Sequence, residues 1–96
     1  MRGSYKLSPE AESDLYRIWL YGCQRWGADA ADRYYAAFFE RFEAIAANPQ
    51  HYSSVDEIQK GYRRSVFGRD SVYYRVVGDE VEVMAIIGQQ DLEAWL

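Results

Sequence analysis

Residues 60–91 read KGYRRSVFGRDSVYYRVVGDEVEVMAIIGQQD, and their reading decides the fold. Tyr62 to Phe67 has strand composition and is turned by Gly68-Arg69-Asp70. Ser71 to Val77 is a second strand, turned by Gly78-Asp79-Glu80. Val81 to Ile87 is a third. There Val81, Val83 and Ala85 alternate with Glu82 and Met84, and Ile86-Ile87 gives the strand a buried end before Gly88 breaks it. Three strands with turns this short make a β-meander. Within residues 60–75, Lys60, Arg63, Arg64, Arg69 and Arg75 stand against Asp70 alone, the only local excess of positive charge in the chain.

The segments before the meander have helical pattern. Tyr5 to Leu7 alternates weakly, as a short first strand would. Ser8-Pro9-Glu10-Ala11-Glu12 is a helix start. Ser8 suits the N-cap, Pro9 the first turn, and the acids the positive end of the helix dipole. Ala11, Leu15, Ile18, Trp19, Gly22 and Trp26 recur at three- and four-residue spacing, and Gly27 ends the helix. A second helix starts near Ala28 to Ala31, with Asp29 as its expected cap. Its stripe is Tyr34, Tyr35, Phe38, Phe42 and Ile45, and Asn48-Pro49 closes it. One or two linking residues around Gly27 imply an antiparallel helical hairpin. Pro49 to Gly61 reads as an irregular loop. The expected architecture is α+β: one domain over residues 1–96, a helical hairpin packed on a small antiparallel sheet.

Composition narrows the function classes. Ninety-six residues leave room for one core. Aromatic residues make up 17% of the chain, enough to fill that core and to anchor an interface. The net charge of −4 argues against indiscriminate nucleic-acid binding. One cysteine, Cys23, permits no internal disulfide, which fits a reducing cytoplasm. Cys23 lies among apolar residues and reads as a small hydrophobe. His51 has no second ligand at metal spacing and reads as a loop histidine. No apolar run approaches the ~18 residues needed to span a bilayer. No cofactor or metal is expected.

Taken in order, a set of short pieces resembles the ParE branch of the RelE/ParE superfamily of bacterial type II toxins. These are Leu7-Ser8-Pro9-Glu10-Ala11, Asp14-Leu15, Ile18-Trp19, Arg25-Trp26-Gly27, Ala31-Asp32-Arg33-Tyr34, Ala47-Asn48-Pro49, Gly61-Tyr62-Arg63, Gly68-Arg69 and Tyr73-Tyr74-Arg75-Val76. The resemblance spans nearly the whole chain. It implies a toxin neutralised by a cognate ParD-like antitoxin in a hetero-oligomeric complex, with no sequence-specific DNA binding of its own. Characterised ParE toxins mostly inhibit DNA gyrase, whereas RelE-like relatives cleave mRNA on the ribosome. Relatives often end the last strand with a basic cluster such as His-Gly-Arg. Here that segment is Ile87-Gly88-Gln89-Gln90-Asp91, and no Lys, Arg, His or Tyr follows Arg75. The ribonuclease reading thereby loses its C-terminal acid–base candidates, since phosphodiester cleavage needs groups to move a proton and stabilise a charged intermediate. A non-enzymatic gyrase inhibitor is the expected function, with a ribosome-dependent endoribonuclease as the alternative.

Candidate site residues follow. Arg63 and Arg64 are adjacent on a strand and point to opposite faces. One of them faces a partner, or both are solvated strand arginines. Arg69 sits in a turn, and Arg75 flanks Tyr74, where a guanidinium stacks well. The expected target contacts are Arg63, Arg69, Arg75, Gln89 and Gln90. The expected antitoxin contacts are Leu15, Ile18, Trp19, Tyr35, Phe38 and Phe42, lining a groove for an amphipathic helix, with Arg63 and Arg64. The alternative for the apolar set is packing of the helices onto the sheet. An added strand along Tyr62–Phe67 is a second docking mode.

Overall fold

The computed structural model describes residues 3–88. Strand β1 (Ser4–Leu7) leads into α1 (Pro9–Trp26) and α2 (Ala28–Ala47). A 3-10 turn (Pro49–His51) and a two-residue strand β2 (Ser53–Ser54) follow, then β3 (Arg63–Phe67), β4 (Asp70–Val77) and β5 (Glu80–Gly88). The sheet order is β1-β5-β4-β3-β2. The expected α+β architecture is present. The four strands β2 to β5 pair antiparallel, as the meander requires, while β1 pairs parallel to β5. The sheet is therefore mixed, because α1 carries the chain from β1 across one face before the meander begins.

Helix α1 starts as its sequence directs. Ser8 is extended, Pro9 occupies the first turn, and the Ser8 hydroxyl accepts from the Ala11 amide at 3.0 Å. Gly27, at φ +96°, ends α1 and serves as the N-cap of α2. Asp29 does not cap α2, contrary to expectation. The chain reverses within one residue, so Asp29 already lies inside the first turn.

The helices cover one face of the sheet. Leu15, Ile18, Phe38, Phe42 and Ile45 pack there on Val72, Tyr74, Val81, Val83 and Ile86. A smaller cluster lies on the opposite face. Val55, Ile58 and Tyr62, from the segment between β2 and β3, close over Tyr73, Ala85 and Ile87.

The strand alternation in β5 conceals an irregularity. Tyr73 pairs with Ala85 but Tyr74 pairs with Val83, so the register shifts at Met84. A bulge inserts one residue and flips the faces beyond it. Val81 and Val83 thus face the helices, while Ala85 faces away. The β1–α1 junction sits against this point: Ser8 donates its amide to Val83 O at 2.9 Å and its hydroxyl to Met84 O at 2.9 Å. Further along β5, α1 takes over the work of a neighbouring strand. Asp14 accepts from the Ile86 amide at 3.0 Å, and Arg17 donates to the Ile86 carbonyl at 3.2 Å. Side chains of α1 satisfy backbone groups that β1 is too short to reach.

Tyr74 ties the sheet to the end of α2. Its hydroxyl donates to Pro49 O at 2.6 Å, and burial pushes its pKa from 10.0 up to about 12. The fold favours the neutral phenol. That stabilisation is complete below pH ~10 and is lost as pH rises through ~12. Denaturant midpoints should accordingly fall across this window, and Tyr74→Phe should flatten the fall.

Candidate functional site

The sheet face opposite the helices carries, beside the cluster of Val55, Ile58 and Tyr62, a cavity of about 340 Å³. It is lined by Arg64, Val66, Gly68, Arg69, Asp70, Ser71, Tyr73, Ile87 and Gly88. Strand parity explains the set. Arg64 pairs with Tyr73, Val66 with Ser71, and Ser71 with Ile87, so these side chains share one face. The β3–β4 turn closes one end and contributes Arg69.

The turn is locked onto α2. Tyr34 places its hydroxyl 2.8 Å from Asp70 Oδ2, 3.1 Å from Phe67 O and 3.2 Å from the Arg69 amide, whose N–H it accepts. The Tyr34 ring stacks on Phe67 with centroids 5.6 Å apart and meets Phe38 edge-on at 4.9 Å. Gly68 makes room for this approach: a Cβ there would lie 2.6 Å from the Tyr34 oxygen. The Arg69 guanidinium lies over the ring of Trp26, the last residue of α1, 5.2 Å from its centroid. Trp26 in turn meets Tyr21 edge-on at 5.8 Å.

The expected target residues are dispersed. Arg63 and Arg64 do lie on opposite faces. Arg63 pairs with Tyr74 on the helix side and donates to Tyr52 O at 2.6 Å and Gln50 Oε1 at 2.7 Å. Its guanidinium fastens the Pro49–Tyr52 segment, whereas Arg64 reaches the cavity. Among the described residues Arg75 stacks on no aromatic ring. It bonds Glu82 through Nε at 2.8 Å and Nη2 at 2.7 Å, and Lys6 reaches the same carboxylate at 3.9 Å. That ladder lies outside the cavity lining. Gln89 and Gln90 fall outside the described residues.

The expected apolar groove requires correction. Leu15, Ile18, Phe38 and Phe42 are at most 8% exposed and form the core between helices and sheet. The stripe was wide because a helix lying flat on a twisted sheet buries a broad arc, so these four offer no surface to a partner. Trp19 is half-buried and donates its indole N–H to Asp32 at 2.8 Å, joining the two helices. Tyr35 is exposed. The exposed apolar residues on α1 are Tyr16, Leu20, Tyr21 and Trp26. Nor is the β3 edge open along its length. β2 occupies it at Arg63 and Arg64, and Arg41 bonds the Ser65 hydroxyl at 2.7 Å and Val66 O at 3.0 Å.

Sequence reading missed Tyr34, Asp14, Arg17 and Arg41. Tyr34 sits in an apolar stripe and reads as core. The only signal was Gly68, a glycine at a turn that something approaches closely. Among the described residues no group of His, Cys, Asp and Glu is placed to hold a metal ion. No helix among them is long and apolar enough to cross a membrane.

Two helices on one face of a five-stranded mixed sheet, with Arg64 and Arg69 at a cavity on the other, define a small α+β class. A chain from a structure described as the chromosomal ParDE toxin–antitoxin system from P. aeruginosa superposes with a TM-score of 0.80 at 19% identity, covering 91% of this chain and 96% of that one. A chain of the RelBE2 toxin–antitoxin complex from Mycobacterium tuberculosis superposes at 0.72 with 15% identity, covering 93% and 100%. Residues 5–93 match the family model described as the ParE toxin of the type II toxin–antitoxin system parDE. Toxin ParE1 of Mycobacterium tuberculosis is 35% identical over 91 residues, 94% of this chain and 93% of its own. Toxin ParE1 of Caulobacter vibrioides is 38% identical over 85 residues, 88% of each. The chain belongs to the ParE toxin family of type II toxin–antitoxin systems.

Proposed function

We propose that the protein inhibits DNA gyrase by direct binding and is neutralised by a ParD-like antitoxin. The observation that carries the target reading is the convergence of Arg64 and Arg69 on one cavity of an otherwise acidic molecule. Two arginines in one lining with Ser71 and Tyr73 suit an acidic partner surface. The composition of the cavity supports a binding site over a ribonuclease. Among the described residues its lining holds no His, Lys or Glu, and the one carboxylate among them, Asp70, is bonded to Tyr34. Proton transfer in RNA cleavage requires a positioned base and acid. The exposed apolar side chains Tyr16, Leu20, Tyr21 and Trp26 on α1, with Tyr35 on α2, are where an antitoxin segment docks.

Induction of the chain in a bacterial host tests both parts. Arg64→Ala and Arg69→Ala should each weaken growth arrest at least tenfold in inducer dose, with denaturant midpoints close to wild type. Arg63→Ala should instead lower the midpoint, since it unfastens the segment at Tyr52. DNA-damage signalling with intact mRNA agrees with gyrase as target. Rapid mRNA cleavage in ribosome-bound frames would refute it. Co-expressed antitoxin should restore growth, and Tyr16→Ser should weaken that rescue.

A further inference from the structure

Arg69 is held from two sides by the helical hairpin. Trp26 supports its guanidinium, and Tyr34 accepts its backbone N–H. We propose that Tyr34 is a positioning residue for Arg69: its hydroxyl fixes the Gly68–Arg69 turn so that the guanidinium rests on Trp26 at the rim of the cavity. The inference rests on the reading of Arg69 as a target contact, and it assigns to α2 a role in presenting that contact.

Three features of the geometry support this role. The hydroxyl meets three different residues of one turn, Phe67, Arg69 and Asp70, so it fixes the turn's path as well as its distance from α2. The ring is itself immobilised between Phe67 and Phe38. Gly68 has φ +59° and no Cβ, which lets the turn close directly onto the phenol oxygen. The phenol also stays protonated. Burial and the hydrogen bond to Asp70 push its pKa well above the usual phenol range, so it remains a donor at every physiological pH. Holding a long side chain in place before binding lowers the entropy cost of the contact it makes. A cation seated on an indole face keeps its outer N–H groups available to an acidic group while its plane is fixed.

Tyr34→Phe removes the hydroxyl and keeps the ring. It should shift the Arg69 Nε–Hε resonance of the ¹⁵N-labelled toxin toward the position of a solvated arginine. It should also raise the inducer dose for growth arrest about tenfold, the scale of one or two lost hydrogen bonds. In an Arg69→Ala background the same change should make no further difference to arrest. An unmoved resonance would overturn the proposal. Equal loss of arrest in both backgrounds would also overturn it, since that is the mark of general destabilisation. If Arg69→Ala arrests growth like wild type, the target reading of Arg69 fails, and the resonance alone then judges the positioning. Should Tyr34→Phe not fold, Trp26→Leu decides. With Tyr34 intact, the Arg69 backbone amide should keep its shift while the Nε–Hε resonance moves. Collapse of both signals would mean that Trp26, not Tyr34, holds the turn.

Discussion

Phe38→Ala is expected to cost ~3–5 kcal/mol, enough to leave much of this small domain unfolded. Phe38 is fully buried. Its ring meets Tyr34 and Phe67 at 4.9 Å each and Phe42 at 6.2 Å. Removing it empties the centre of the helix–sheet contact, and the flanking rings are too constrained to fill the space. Tyr35, three residues earlier on the same helix, is 39% exposed, and Tyr35→Ala should cost about 1 kcal/mol or less. Urea denaturation of the two variants separates the alternatives left open by the apolar stripe. If Phe38 lined a docking groove, its loss would weaken antitoxin binding and spare stability. If it is core, stability falls first.

That contrast shows what the pattern of residues conveys and what it withholds. Local signals were legible. Ser8-Pro9 announces a helix start, Gly27 a reversal, and Gly68 and Gly78 the two turns of the meander, because each acts through its own backbone geometry. Parity was legible too, and it put Arg63 and Arg64 on opposite faces. Which face carries the helices was not, since it depends on the Met84 bulge and on the pairing of β1 with β5. Those residues are 76 apart in the register that joins Ser4 to Glu80, and no local preference encodes such a contact. The same limit applies to the site. Arg64, Arg69 and Arg75 look equivalent along the chain. Glu82 takes Arg75 away, and the turn brings Arg69 back to Arg64. A carboxylate seven residues downstream is a plain strand residue until the β4–β5 register places it opposite.

Gly68→Ala should be far more damaging than Gly78→Ala, although both glycines occupy the same backbone region. Gly68 has φ +59° and Gly78 has φ +63°. A side chain in that region costs on the order of 1–3 kcal/mol, and this part of the penalty is common to both. The surroundings differ. A Cβ at Gly78 meets nothing within 4 Å, whereas one at Gly68 would sit 2.6 Å from the Tyr34 oxygen and 2.8 Å from its Cε1. The phenol cannot retreat, because Phe38 and Phe67 confine its ring. Relief must come from the turn lifting off α2, which breaks the bonds to Phe67, Arg69 and Asp70. Overpacking of this kind adds about 1–3 kcal/mol. Thermal or urea denaturation of the two variants therefore measures the clash by difference. Equal losses would mean that the turn is free to move and that its contact with Tyr34 is incidental. Adding Tyr34→Phe to Gly68→Ala should recover only part of the loss, since the ring carbon remains too close after the oxygen is gone. Arg69 should stay displaced in that double variant. With no hydroxyl left to hold its amide, restored stability would come without restored toxicity.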